Sequence, residues 1–158
     1  MGSVKRFFKN GLLGLTLGLT SLSALPQISS ALNINQQIDE KIVETFKGDP
    51  NVIGVGVIYL DTGEIMVAHP FKPDVVKNKR YLLAAVLTNI TKATVNNLRK
   101  AGMDLKFANL RCKEGIFLIV PINNEVALVG FFTPNANVQE EKWHMLYELK
   151  PEIADLLQ

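Results

Sequence analysis

An α+β fold, one five-stranded antiparallel sheet carrying helices in the order α-β-β-α-β-β-β-α, is what this 158-residue sequence predicts. Three observations predict it. Val52 to Ala68 reads as two β-branched runs around an Asp61-Thr62-Gly63 turn, where Gly63 supplies the positive φ such hairpins need. A second hairpin follows from the nearly all-apolar run Gly115 to Ile122, the turn Asn123-Asn124-Glu125 and the return Val126 to Phe132. Between and around the hairpins, apolar residues recur at helical spacing.

The first helix is expected from Ile34 to Phe46, where Ile34, Ile38, Ile42, Val43 and Phe46 share a face, with Asn33 as N-cap and Gly48 as the stop. Asp49-Pro50 breaks the chain before the first hairpin, and Pro70 and Pro73 close it. Asp74 is placed to cap a long helix through Ala101, ending at Gly102, with Leu83, Leu87, Ile90, Thr94 and Leu98 on one stripe and Ala84, Ala85 and Ala93 beside it. Leu105 and Phe107 then alternate with polar neighbours, which predicts a third strand to about Cys112 with a bulge or shortening near Ala108. The second hairpin, apolar on both faces, reads as central and buried. The last helix is expected from about Val138, with Trp143, Leu146, Leu149, Ile153 and Leu156 inward, Glu140, Glu141 and Glu148 outward, and a kink at Pro151.

Length and composition bound the chain to one folded unit, residues 34–158, preceded by a leader, residues 1–33, because 47% apolar against 20% charged residues is a globular balance. The leader carries Lys5, Arg6 and Lys9 with no acid. Phe7, Phe8, Leu12 and Leu13 open its apolar part, the uncharged stretch runs from Gly11 to Leu25, and Ser29-Ser30-Ala31 follows Pro26. That is the grammar of an export signal cleaved after Ala31, or of a retained helix lying on a membrane surface through residues 1–25. At about 15 residues the apolar stretch is shorter than the roughly 20 that cross a bilayer. Retention implies the cytoplasmic face of a membrane, and cleavage an extracytoplasmic protein.

Catalytic and metal chemistry finds no constellation. Gly54-x-Gly56 lies inside an apolar strand followed by a hairpin rather than a helix, so it is no phosphate loop; both glycines face one side and suggest a groove for close helix packing. His69, read as a loop residue, and His144, read as partly exposed on the last helix, lie far from each other and from any cysteine or carboxylate at ligand spacing, and Cys112 stands alone. Asp61 and Glu64 sit in a tight turn. An enzyme, a cofactor and a bound metal are therefore not expected. Charge is the feature above this background: from Lys72 to Lys113 ten bases face two acids, a net +8, whereas residues 138–158 carry five acids and two bases, a net −3. A basic surface of Lys77, Lys79, Arg80, Lys92, Arg99, Lys100 and Lys106 suits an acidic protein or anionic lipid headgroups. Nucleic acid is disfavoured, since few aromatics interleave with these bases.

The order of elements, with the Val52 to Leu60 strand and its Asp61-Thr62-Gly63 turn, the helix around Leu82-Leu83-Ala84-Ala85, the Gly115 to Phe132 hairpin and the closing helix, resembles the Roadblock/LC7 family over residues 34 to 157. The resemblance implies a profilin-like sandwich and a non-enzymatic adaptor, a homodimer or a pair with a sister chain, joined through the long middle helix and the third strand. Leu83, Leu87, Ile90, Leu105 and Phe107 are then the interface residues. It also implies that such a platform docks or regulates a small GTPase or another protein. The rival reading is an exported sensor or small-molecule-binding domain of the PAS or Cache kind, with a pocket lined by Ile116, Leu118 and Val129.

Overall fold

The computed structural model describes residues 25–77 and 80–158. Contacts divide the chain into Met1–Ile34 and Asn35–Gln158, and the second unit holds the sheet. The elements are α1 (Leu25–Thr45), β1 (Val52–Tyr59), β2 (Ile65–Pro70), a single turn α2 (Pro73–Val76), α3 (Arg80–Lys100), β3 (Ala108–Arg111), β4 (Ile116–Pro121), β5 (Val126–Phe132), and a closing helix in three parts, α4 (Val138–Trp143), a π-helical segment (His144–Leu149) and α5 (Lys150–Leu156). The expected α+β order and five strands are present.

The sheet is antiparallel with spatial order β2-β1-β5-β4-β3, so the two hairpins meet at the β1–β5 ladder and β2 and β3 form the edges. β4 and β5 are buried along their whole length, as continuous apolar strands in the middle of a two-faced sheet must be. One face carries Ile58, Ala127 and Val129, which pack with Leu60 against Val95 of α3, and beside them Ile53, Phe117 and Phe131, with Leu87 of α3 touching both groups. The other face is covered by α1 and the closing helix: Ile38, Ile42 and Phe46 are fully buried, the Phe46 ring lies 5.7 Å from Phe132, and Met145, Leu149 and Ile153 are inaccessible.

The first hairpin turns where expected. Gly63 has φ 76°, and its N–H donates to Tyr59 O at 2.9 Å. At Gly56 a Cβ would stand 2.8 Å from the Val67 carbonyl oxygen, and at Gly54 3.4 Å from that of His69. Gly56 thus admits the close approach of the β2 backbone, while the distance at Gly54 is that of an ordinary contact.

Other departures have identifiable causes. α1 begins at Leu25 rather than after Asn33, so Asn33 is interior and caps nothing; Pro26 falls in the first turn, where its missing N–H costs no helical bond. Asp74 lies in the isolated turn α2 instead of capping α3. His69 is not a loop residue but the penultimate residue of β2, and its Nδ1 lies 3.0 Å from the Asp39 carboxylate of α1. The third strand is shortened to four residues because Leu105 turns inward onto the Ile58 group instead of joining the ladder.

The last helix is rotated relative to the expected stripe. Trp143 is 56% exposed while Glu141 is 2% exposed, the reverse of the expectation. Pro151 has no N–H and its ring crowds the carbonyl four residues back, and the helix accommodates it by widening just before: Lys150 N–H donates to Met145 O, five residues earlier. The inward residues Glu141, Met145, Leu149 and Ile153 then recur every four positions.

Candidate functional site

The middle helix presents two contrasting faces. Inward lie Thr88, Thr91 and Val95, at the three-and-four spacing that keeps one stripe on the sheet. Outward lie Ala85, Val86, Asn89, Ile90, Ala93 and Asn97, a stripe with no charged residue in which Val86 is 44% and Ile90 37% exposed. Two small alanines beside two exposed branched side chains make a face on which another backbone can approach closely. Among the described residues β3 is bonded to β4 alone, so its other side is a free ladder edge there, four residues long.

The predicted site residues distribute as follows. Leu87 is half-buried in the protein's own core and Ile90 is on the outer face; Leu83 lies in α3, its side-chain surroundings outside the described residues. Leu105 and Phe107 precede β3. Leu105 is half-buried against the Ile58 group, and the Phe107 ring lies under Lys142 Nζ, 5.1 Å from its centroid. Of the basic residues, Lys77, Lys100 and Lys106 are exposed and Lys92 is half-buried, while Lys79 and the side chain of Arg80 lie outside the described residues. Arg99 is engaged within the fold: its Nη1 donates to Asn124 O at 3.0 Å and its Nη2 to Asn123 O at 2.9 Å. Lys5, Arg6, Phe7, Phe8, Lys9, Leu12 and Leu13 all lie outside the described residues.

Three features escaped sequence reasoning. Glu141 Oε2 is buried without a hydrogen-bond partner, and its carboxyl is pushed up from 4.5 to about 8, first by desolvation and then by hydrogen bonding to and repulsion from Asp49. The signal was the four-residue repeat from Glu141 to Ile153, visible only if a π turn at Pro151 is assumed. Trp143 and Tyr147, with ring centroids 4.7 Å apart, stand exposed on the outer side of that helix. The third is a cleft where the ends of α3, the β4–β5 turn and the start of α5 converge. Ile116, Leu118 and Val129 do not line a common pocket: Leu118 pairs with Gly130, so Val129 points to the opposite face of the sheet.

These faces, with this strand order, decide the architecture. The chain has a Roadblock/LC7-like fold. It is similar to an MglB with a tetrameric arrangement, at TM-score 0.63 and 15% identity over 78% of this chain and 89% of that one. The gliding protein MglB of Thermus thermophilus follows with TM-score 0.60 and 16% identity, covering 77% of this chain and 91% of that one. A Roadblock/LC7 domain from Streptomyces avermitilis superposes at TM-score 0.58 and 13% identity, over 72% and 92% of the two chains. No family model matches the sequence. No curated protein matches it either. At these identities the likeness is one of fold, and the uncharged α3 face and the free β3 edge are candidates for contact.

Proposed function

We propose that this protein is a non-enzymatic adaptor that works as a pair of identical or sister chains and docks a small GTPase or another acidic protein. The observation that carries the reading is the uncharged outer face of α3 together with the unpaired edge of β3. Both are open to solvent in the single chain, and both are satisfied at once if a second copy lays its own α3 and β3 against them. Pairing the two β3 edges would extend the sheet across the dimer and remove a free edge. Burying the exposed parts of Val86 and Ile90 contributes on the order of 1 kcal/mol per side chain on each chain. The tetrameric arrangement named for the similar MglB supports a fold that assembles with itself.

Lys77, Lys100 and Lys106, exposed at the ends of this surface, supply the positive charge that suits an acidic partner. The leader residues 1–25 would hold the pair at a membrane. Size-exclusion chromatography with light scattering tests the central element: the full chain should run at twice its 17.5 kDa mass, and Ile90→Glu should run at that mass once. A strictly monomeric wild type at both dilute and concentrated loading sinks the reading.

A further inference from the structure

The cleft between α3, the β4–β5 turn and α5, half-open to solvent, offers about 100 Å³ and is lined by Arg99, Asp104, Lys106, Asn123, Asn124 and Lys150 together with the apolar Val95 and Leu105. Three cations thus face one carboxylate. Asp104 Oδ2 stands 3.8 Å from Lys106 Nζ, and among the described residues neither Arg99 nor Lys150 makes a salt bridge. The uncompensated charge in the cleft is therefore +2.

Arg99 is the fixed part of this wall. Its guanidinium is held by the carbonyl oxygens of Asn123 and Asn124, which accept two of its five N–H groups and leave three. A guanidinium locked by backbone, rather than waving in solvent, has already lost the rotamer freedom that anion binding would otherwise remove. Lys150 is half-buried at the opening of α5, and Lys106, its side chain 80% exposed, stands at the rim on the α3–β3 loop. The space is ample for a water, which needs about 10–15 Å³ of this kind, and leaves room for one small oxyanion.

We infer that this cleft is a binding site for a phosphate group. A phosphomonoester carries about −1.5 to −2 at neutral pH, which matches the uncompensated charge, whereas a carboxylate would leave one cation unpaired. The site rests on the folded single chain and sharpens one end of the basic surface proposed above; it holds whether or not two copies pair.

Isothermal titration of the full chain with inorganic phosphate at constant ionic strength and pH 7.5 tests it. Saturable binding is expected, weakened about fivefold by Lys150→Met and by Lys106→Met, as loss of one cation at contact distance implies. Lys47→Met, on the exposed turn after α1 and outside the cleft, should leave it unchanged. A second arm separates the sources of the phosphate by comparing vesicles containing phosphatidylinositol phosphate with phosphatidylserine vesicles of equal charge. Selective loss of binding to the former in Lys150→Met assigns the site to a lipid headgroup; equal retention on both, with phosphate binding lost, assigns it to a soluble phosphomonoester. Absence of saturation, or an effect of Lys47→Met as large as that of Lys150→Met, overturns the inference. Because the readout is a titration and not a molecular mass, its failure leaves the pairing of chains untouched.

Discussion

At the scale of single residues the buried Glu141 has the largest consequence. An ionised carboxylate with one oxygen lacking any partner is expensive in a protein interior, so the folded state holds Glu141 protonated up to about pH 8 while the unfolded chain releases the proton near 4.5. Between those values the folded protein binds one more proton than the unfolded. Stability therefore falls as pH rises through that window, at up to about 1.4 kcal/mol per pH unit, and is unaffected by this group below it. Urea melts at pH 5, 6.5 and 8 should show the decline. Glu141→Gln, which cannot ionise, should match the wild type at pH 5 and exceed it at pH 8 by a few kcal/mol. A variant weaker than wild type at all three values would mean that the carboxylate is ionised and stabilised in the fold.

At the scale of elements, Arg99 joins the last turn of α3 to the β4–β5 turn, two elements 24 residues apart in sequence, through two charge-assisted bonds. Each such bond contributes on the order of 1 kcal/mol where solvent competes, so Arg99→Ala should lower the unfolding free energy by about 1–2 kcal/mol, with Arg99→Lys recovering part of it. An unchanged urea midpoint in Arg99→Ala would show the tie to be idle. A role for Arg99 in meeting an acidic partner has to be read after that loss is subtracted. The same residue shows where sequence reasoning stops. Both hairpins, the α1 face of Ile38, Ile42 and Phe46, and the long α3 were legible because periodicity and turn residues are local. What Arg99 touches was not, since Asn123 and Asn124 present backbone carbonyls, which carry no side-chain signature. The stripe of the last helix was misread for a related reason: its phase depends on the wide turn before Pro151, and a phase drawn for 3.6 residues per turn puts Trp143 inward and Glu141 outward. The outer face of α3 was half legible. Ile90 was placed at an interface, but the inward stripe runs through Thr88 and Thr91, polar residues that a hydrophobic pattern skips.

At the scale of the whole molecule, the proposed leader, residues 1–33, would decide which partners the folded unit can meet. Lys5, Arg6 and Lys9 each contribute about 1 kcal/mol of attraction near an anionic lipid surface, and Phe7, Phe8, Leu12 and Leu13 add apolar area that can enter the headgroup region. The uncharged stretch from Gly11 to Leu25 is shorter than the roughly 20 residues that cross a bilayer, so attachment through residues 1–25 is expected at the surface. The folded body contributes little of its own, because beyond the leader 14 bases stand against 15 acids. Full-length protein should thus sediment with phosphatidylserine vesicles, and binding should fall steeply between 50 and 500 mM salt as screening shortens the range of the attraction to a few ångströms. A chain starting at Asn33 should remain in the supernatant. N-terminal sequencing of protein from its native host then separates two fates: a retained Lys5-Arg6 segment keeps a cytoplasmic GTPase within reach, whereas a mature end near Leu32 removes both the membrane attachment and that class of partner.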